Sequence, residues 1–334
     1  MNLLRQSTSI RIGELHDVGD CRRRVMALAK ALGCDETVEG KVGLVVTELA
    51  TNLVKHGGGG TIIARALRSS DLAGVEILSV DKGPGMEADR CLRDGYSTTG
   101  SPGTGLGAIS RLAHHLDIYS LPGKGTVLAA TLWQLPFGKT APAPDTAAVC
   151  VPVRGEERCG DGWSISRTRD RVRMIVCDGL GHGDLAADVS DLAIETFEAR
   201  GDLGPAQMIR ELDPILKPTR GAAVAIVDLN LDTDIVTFAG IGNIGAYVFS
   251  GVKSRGMVSM NGIVGHQLRR VSEFTYECYH GDMVMLHSDG LSAHWKMEDY
   301  PGLAFRPVNV IAGTFYRDFL RSKDDATILM LRRE

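Results

Sequence analysis

The sequence predicts an α/β protein of two domains, in which a two-layer α/β sandwich is followed by stacked β-sheets flanked by helices. Three observations lead to this prediction. The chain has 334 residues, a length that suits about two domains. Residues 138–147, with two prolines among alanines and small polar residues, have the composition of a short extended linker. Helical periodicity and strand-like runs alternate on both sides of it. The predicted domains are therefore residues 1–137 and 148–334.

The first domain mixes helices with strands that favour antiparallel pairing. Cys21, Val25 and Leu28 recur at helical spacing, and a longer apolar face follows from Asp35 onward. Short apolar runs separated by turn residues predict the strands. In chain order, the predicted elements are helices near 21–32, 35–55 and 105–115, and strands at 61–67, 75–80, 117–121 and 126–133.

The second domain has more strands than the first, with helices between them. This pattern predicts stacked sheets covered by helices. The predicted strands are 162–167, 171–177, 222–228, 235–239, 246–249, 282–287 and 326–331, and the predicted helices are 185–200, 205–216 and 308–320.

Composition excludes several classes of function. Lys and Arg number 37 against 41 Asp and Glu, a net charge of −4, so we expect no nucleic-acid partner. No apolar run approaches the roughly 18–20 residues of a membrane span, and the N-terminus lacks a signal-peptide pattern. The seven cysteines form no CxxC pair, which argues against a zinc site or a disulfide framework. We therefore expect a cytoplasmic protein without a membrane partner.

A carboxylate and an amide share one face of the second predicted helix. Glu48 and Asn52 are four residues apart, and this pair suits a magnesium-bound triphosphate. The amide oxygen can bind the metal, and the carboxylate can orient water or accept a proton.

Asp81 ends an apolar strand and precedes Gly83 and Gly85. Its carboxylate can accept a hydrogen bond from an adenine amino group, while the glycines let the backbone approach the base.

A glycine-rich segment follows and leads into the third predicted helix. Gly103, Gly105 and Gly107 would place free backbone N–H groups where a phosphate binds. Each motif alone is weak, because a Glu–Asn pair on a helix is usually solvated and a DxGxG segment is often a turn. Their order along one stretch, from Glu48 to Gly107, indicates an ATP site.

With these motifs, residues 5–135 resemble the GHKL (Bergerat-fold) ATPase superfamily and, within it, the anti-sigma-factor serine/threonine kinases. The motifs that carry the resemblance are an N box at 47–57, a G1 box at 81–86, a G2 box at 103–107 and a late Gly125-Thr126 element. The resemblance implies ATP with Mg²⁺ as cofactor, with Asn52 on the magnesium, Asp81 on the adenine and Glu48 as base for a substrate hydroxyl. Thr126 joins the nucleotide site. Histidine kinases share this fold but need a phosphoacceptor helix upstream, so we expect a serine or threonine acceptor.

Aspartates mark the ends of strands in the second domain. Asp178 and Asp289 follow apolar runs, Asp324 and Asp325 lead into another, and Asp161 follows Gly160. Carboxylates at the ends of buried strands are costly unless cations compensate them, and oxygen ligands favour magnesium or manganese over zinc. The alternative is that they are turn residues, since Asp-Gly is a common turn. Four such sites at strand ends favour the metal interpretation.

Residues 148–334 resemble the PPM-type metal-dependent serine/threonine protein phosphatases, in particular their SpoIIE-like bacterial branch. The motifs that carry the resemblance are 160–163, 178–183, 239–243, 288–291 and 324–327. The resemblance implies two Mn²⁺ or Mg²⁺ ions. Asp178, Asp289 and Asp324 would hold one, and Asp161, Asp178 and the Gly179 carbonyl would hold the other. Asp325 stands where the family often has Asn or Asp, and it is included in the candidate metal set.

Two further side chains in these motifs have alternative interpretations. His182 is a candidate general acid for the leaving serine or threonine oxygen, and equally a residue that only packs the glycine turn. Asn243 after a glycine is more typical of a structural turn than of a site residue.

Together the motifs predict a bifunctional bacterial regulator of partner switching. It would phosphorylate and dephosphorylate a serine or threonine on a STAS-type anti-sigma-factor antagonist. A sigma factor is a further candidate partner and a homodimer a candidate state. The alternative is an ATP-gated phosphatase whose first domain binds nucleotide, a sigma factor or an antagonist without transferring phosphate. A purely structural scaffold would require all the motifs to be accidental.

Overall fold

The structure is a computed structural model that describes residues 4–69, 71–86 and 104–334. Its contacts divide the chain into two units. The first comprises Met1–Pro144 with Asn309–Asp318, and the second comprises Asp145–Val308 with Phe319–Glu334. The first unit thus includes a short piece of sequence from far along the chain, and the predicted domain boundaries stay a prediction.

The first unit contains a five-stranded antiparallel sheet in the order β1-β2-β3-β5-β4. One face of this sheet packs against helices, with Val25, Val45 and Leu49 of the helices in one core with Ile62 and Ile77 of the sheet. The elements are β1 Thr8–Ile12, α1 Leu15–Ala31, α2 Glu36–His56, β2 Gly60–Ser69, β3 Leu72–Val80, α3 Thr104–Leu112, β4 His115–Ser120 and β5 Thr126–Trp133. The sheet and the helices on this face form the two layers of the predicted α/β sandwich.

Helix α2 carries the first candidate site, and its own sequence fixes its position. Asp35 caps its N-terminus by accepting a hydrogen bond from the Val38 N–H at 2.9 Å. Val42, Val45 and Leu49 are completely buried, so the face they form is turned to the sheet. That orientation leaves the polar positions of the last two turns at the edge of the buried face.

The second unit contains two five-stranded antiparallel sheets, in the orders β13-β10-β9-β8-β7 and β12-β11-β14-β15-β6. Their facing sides share one core, to which Met174, Val176, Leu286 and Leu329 contribute. The strands are β6 Thr146–Val151, β7 Asp161–Arg167, β8 Arg171–Gly179, β9 Ala222–Asn230, β10 Ile235–Ile241, β11 Gly245–Ser250, β12 Lys253–Gly256, β13 Phe274–Glu277, β14 Met283–His287 and β15 Ala326–Arg332. The stacked sheets confirm the predicted fold class.

Helices cover the other face of the first of these sheets. Phe197 and Leu212 of α4 Asp184–Ala199 and α5 Pro205–Leu216 pack with Ile175 and Ile226 of the sheet. A further helix, α6 Val308–Phe319, lies in the C-terminal part of the sequence, but its residues 309–318 belong to the first unit. No helix of the described residues is both long and apolar enough to span a membrane.

The third helix is shorter than predicted. It ends at Leu112 instead of His115, which is the first residue of β4. His114 explains the early end, because its N–H donates to the Thr131 carbonyl at 2.8 Å and its Nδ1 accepts the Trp133 N–H at 3.0 Å. These hydrogen bonds to β5 take the place of the backbone hydrogen bonds that would continue the helix.

The sequence patterns do not predict four of the described strands, namely β1, β6, β12 and β13. All four lie at sheet edges, and none is longer than six residues. Strands this short offer too few residues for a period-two pattern to be recognised in the sequence. β6 begins at Thr146, within the stretch that composition alone marked as linker.

Candidate active sites

The polar pair on α2 meets the start of α3. A Cβ atom added at Gly105 would lie 3.1 Å from Glu48 Oε2 and 3.9 Å from Asn52 Oδ1. Both side chains are half-buried, and Gly107 follows within the same first turn of α3. The structure therefore brings the N-box pair and the glycines of the G2 box together, as the motifs predict. Gly103 lies outside the described residues.

Asp81 is held at the end of β3 by the backbone around it. Its Oδ1 accepts the N–H groups of Gly83 at 2.8 Å and Thr126 at 3.2 Å, and its own N–H donates to the Thr126 carbonyl at 3.0 Å. Burial raises the pKa of Asp81, and the two N–H groups and the Arg317 charge oppose that shift. Both bonds engage Oδ1, so Oδ2 is left to accept a hydrogen bond from a ligand.

The two glycines after Asp81 are required by close backbone approach. A Cβ atom on Gly83 would lie 2.8 Å from the Gly57 carbonyl oxygen, at the end of α2. Gly85 has φ +68°, a conformation that favours glycine, and it lies directly against the Leu121 carbonyl. The G1 segment is thereby packed between the end of α2 and the turn that follows β4.

Two aspartates of the second unit face each other across neighbouring strands. Asp161 of β7 and Asp178 of β8 are directly opposite in the antiparallel register, so their side chains lie on the same face. Asp161 is 6% exposed, and within the described residues its Oδ2 has no hydrogen-bond partner. Gly179 ends β8, and its N–H donates to the Gly160 carbonyl at 3.2 Å.

Burial and mutual repulsion perturb these carboxyl groups. Burial and, to a smaller extent, the charges of Asp161, Asp289 and Asp324 together raise the pKa of Asp178 to about 9. Burial raises the pKa of Asp161 to about 7, a shift that the Ser288 hydroxyl opposes. The pKa of Asp289 is also raised, by burial and then by Asp324. The predicted metal ligands therefore interact electrostatically as one group.

These carboxylates converge without forming a closed cage. In the described ranges, no three His, Cys, Asp or Glu side chains are gathered closely enough to hold a metal ion as they stand. Asp161 and Asp178 are opposite each other on neighbouring strands, which places these two candidate ligands on one face of the sheet.

Asn243 contacts a predicted metal ligand directly. Its Nδ2 donates to Asp289 Oδ2 at 2.7 Å, which fixes the orientation of that carboxylate. The backbone beyond Asp289 is held as well, because the Arg321 N–H donates to the Gly290 carbonyl at 2.7 Å. The Gly-Asn pattern favours a turn for Asn243, and its place in the 239–243 motif is the sequence signal for its role.

The adjacent aspartates 324 and 325 have different surroundings. Asp325 is 2% exposed, and its two carboxylate oxygens accept the N–H groups of Val153 at 2.7 Å and Gly160 at 2.9 Å. Asp324 is exposed and accepts the Asp325 N–H at 2.9 Å. Asp325 thus ties the start of β15 to the residue before Asp161, whereas the Asp324 carboxylate is open to solvent.

His182 has a carboxylate partner that sequence analysis missed. Its Nδ1 lies 2.8 Å from Glu156 Oε1, and the histidine side chain is 58% exposed. A carboxylate on one ring nitrogen fixes the ring orientation and leaves the other nitrogen for a ligand. Glu156 is 26 residues earlier, in a loop without a recognisable motif, so no sequence signal connects the two residues.

Each part of the chain matches a protein-family model. Residues 13–132 match the model described as histidine kinase-like ATPase domain, and residues 168–334 match that of Stage II sporulation protein E (SpoIIE). Serine/threonine-protein kinase RsbT of Bacillus subtilis (strain 168) is 28% identical over 131 residues, 39% of this chain and 98% of RsbT. Phosphoserine phosphatase RsbX of the same organism is 24% identical over 139 residues, 41% of this chain and 70% of RsbX.

Two solved structures share a fold with part of the chain. A structure described as "The bacterial stressosome: a modular system that has been adapted to control secondary messenger signaling" has a TM-score of 0.53 at 23% identity, covering 56% of this chain and 98% of that one. The crystal structure of RsbX in complex with magnesium has a TM-score of 0.50 at 20% identity, covering 56% and 94%. The structural likeness concerns the fold, and the sequence matches confirm both resemblances drawn from the motifs.

Proposed function

Because the chain belongs to the Stage II sporulation protein E (SpoIIE) family through residues 168–334, we propose that its second unit is a metal-dependent phosphatase that acts on phosphoserine or phosphothreonine in a protein. The observation that carries this proposal is the pair Asp161 and Asp178, which face each other on β7 and β8 with raised pKa values. Similarity to a phosphoserine phosphatase supports the choice of substrate.

The donor set fits magnesium or manganese. Every candidate ligand is an oxygen donor, and Oδ2 of Asp161 is buried without a hydrogen-bond partner among the described residues. We assign Asp178, Asp289 and Asp324 to one ion, and Asp161, Asp178 and the Gly179 carbonyl to the other. Divalent ions in such a site supply an activated water and neutralise charge on phosphoryl oxygens when they are bound.

The remaining residues of this site position those ligands and move a proton. Asn243 holds Asp289, and Asp325 holds the backbone at Gly160 beside Asp161. His182, oriented by Glu156, would donate a proton to the serine or threonine oxygen as it leaves phosphorus. Asp325 acts as an anchor in this proposal because both of its oxygens already accept backbone N–H groups.

We propose that the first unit binds ATP with Mg²⁺ and transfers its γ-phosphoryl group. The Asn52 amide oxygen would bind magnesium, and Asp81 would accept a hydrogen bond from the adenine amino group. The acceptor oxygen would bond to the γ-phosphorus as the bond to the β-phosphate oxygen breaks, and its proton would pass to Glu48. The contact of Gly105 with Glu48 and Asn52 supports this assignment. Catalysis of this kind rests on positioning and electrostatics.

The two activities would act on one acceptor, a STAS-type antagonist protein in a bacterial partner-switching pathway. The support is that one chain is similar to a serine/threonine kinase over 131 residues and to a phosphoserine phosphatase over 139 residues. A sigma factor remains a second candidate partner. The chain that adds the phosphoryl group would thus also remove it.

Metal dependence is the direct test of the phosphatase. The full chain, freed of metal with a chelator, is expected to release no phosphate from a phosphoserine protein, and Mn²⁺ or Mg²⁺ is expected to restore release. Zn²⁺ should restore much less, because the site offers only oxygen ligands. Phosphate release measured after chelation and metal return checks this. Full activity of the chelated chain would contradict the metal assignment.

The role of Asn243 gives a second prediction. Asn243→Ala removes the amide that orients Asp289, so about 10- to 100-fold more Mn²⁺ should be needed for half-maximal phosphate release. Gln267→Ala removes an exposed amide of the same unit and serves as the control. A manganese titration of both variants measures the effect. Equal manganese requirements for wild type and Asn243→Ala would show that Asn243 only shapes its turn.

A further inference from the structure

Helix α6 contributes buried polar contacts to the first unit. Asn309 Nδ2 donates to Glu76 Oε2 at 3.1 Å, and each residue is 2% exposed. Glu76 also forms an ion pair with Arg65 at 2.9 Å. A buried carboxylate needs such partners, so Asn309 is a structural component of the sheet that carries the candidate ATP site.

The helix lies along β3, on the face of the sheet opposite α1 and α2. A Cβ atom on Gly313 would lie 2.9 Å from Val127 Cγ1 and 3.7 Å from Val80 Cγ1. Val80 and Glu76 point to one side of β3, since side chains alternate along a strand. Ile77, between them, belongs to the core formed with the helices of the other side.

The direction of α6 brings Arg317 to the end of β3 that carries Asp81. Asn309, Gly313 and Arg317 are spaced by four residues and share one helix face. Eight helical residues advance about 12 Å, and the four strand residues from Glu76 to Val80 advance about 13 Å. The helix face that begins with Asn309 at Glu76 therefore ends with Arg317 beside Asp81.

Arg317 is buried and has one nitrogen without a partner. It is 6% exposed, and its Nε and Nη2 both donate to Asp318 at 2.8 Å. Nη1 is buried and has no hydrogen-bond partner in the part of the chain that the structure describes. The Arg317 charge also lowers the pKa of Asp81, against the larger effect of burial.

We propose that α6 is a third layer of the ATP-binding unit and that Arg317 is a positioning residue for Asp81, which recognises the adenine amino group. The inference rests on the proposed ATP binding by the first unit. The Arg317 charge favours the ionised form of the Asp81 carboxylate, and an ionised carboxylate is the stronger acceptor for an amino group. Arg317 lies within the sequence that matches the SpoIIE model, yet it belongs to the first unit and contributes there to the nucleotide site.

Titration of the full chain with ATP and with ITP tests this inference. ITP carries a carbonyl oxygen in place of the adenine amino group, and this oxygen cannot donate a hydrogen bond to Asp81, so ITP gains nothing from an ionised Asp81. Arg317→Met should weaken ATP binding about tenfold and should not weaken ITP binding. Arg317→Lys keeps the charge and should retain most of the ATP affinity. Arg11→Met, an exposed arginine of the same unit, is the matched control and should bind both nucleotides as wild type does.

The other possible binding results contradict either the role of Arg317 or the proposed ATP binding. Unchanged ATP binding by Arg317→Met, or equal losses of ATP and ITP, would overturn the role of Arg317 while ATP binding by the first unit stands. No ATP binding by the wild-type chain would overturn the proposed function and this inference with it. Thermal unfolding by circular dichroism shows whether the variants fold. If Arg317→Met does not fold, Arg317→Lys decides: retained preference for ATP supports the inference, and its loss overturns it.

Discussion

Asp178→Asn is expected to abolish dephosphorylation while leaving ATP binding intact. Asp178 is the ligand that both proposed metal ions share, and it lies directly opposite Asp161. The amide keeps the size of the side chain but removes the charge that binds a cation, so phosphate release should fall by about 10³-fold or more. Phosphate release from a phosphoserine protein with saturating Mn²⁺ measures the loss, and titration with ATP checks the first unit.

The variant should fold, which makes its loss of activity interpretable. A buried carboxylate whose pKa is raised to about 9 is replaced by a neutral group, so the metal-free chain should unfold at no lower temperature than wild type. Asp232→Asn removes an exposed carboxylate of the same unit and should keep full activity. If Asp178→Asn releases phosphate at the wild-type rate, the assignment of the metal ligands is wrong.

Glu48→Ala is expected to abolish phosphoryl transfer with little change in ATP affinity. In the proposed mechanism Glu48 accepts the proton of the acceptor hydroxyl, a contribution of about 10²- to 10⁴-fold in rate. Its Oε2 is close to Gly105 at the start of α3, where the phosphates would bind. Transfer of label from γ-labelled ATP to a STAS-domain protein measures the effect. The measurement is made in the Asp178→Asn background, so that the phosphatase does not remove the label.

Glu36→Ala provides the matched control on the same helix. Glu36 is exposed in the first turn of α2, far along the helix from Glu48, and its removal should leave transfer unchanged. Equal transfer by the Glu48→Ala and Glu36→Ala chains would exclude Glu48 as the base. An absence of transfer from every chain, combined with a phosphatase rate that changes with ATP, would favour the ATP-gated alternative.

The fold and most of the candidate ligands could be predicted because both reside in local sequence patterns. The apolar face of α2 fixes its orientation, and that orientation places Glu48 and Asn52 together. Asp161 begins β7, and Asp178 lies near the end of β8 after a continuous apolar run, so antiparallel pairing of the two strands places them opposite each other. Short edge strands and the early end of α3 were missed, because hydrogen bonds to distant strands determine them.

The residues that support the ligands could not be predicted, because their partners are remote in sequence. Asn243 and Asp289 are 46 residues apart, and Glu156 and His182 are 26 apart. A single loop glutamate carries no signal until tertiary structure gives it a neighbour, and the Gly-Asn dipeptide indicates a turn even though it lies in the 239–243 motif. The same holds for Asn309, which contacts Glu76 across 233 residues and links α6 to the first unit.

The central claim is that one chain both adds and removes a phosphoryl group, and one time course tests it. The full chain, its Asp178→Asn variant and the Glu48→Ala, Asp178→Asn double variant are each mixed with γ-labelled ATP, Mg²⁺, Mn²⁺ and a STAS-domain protein, and label on a serine or threonine is followed. Label should accumulate with Asp178→Asn, stay low or transient with wild type and be absent with the double variant. No label on the STAS-domain protein with Asp178→Asn, despite bound ATP, would contradict the claim.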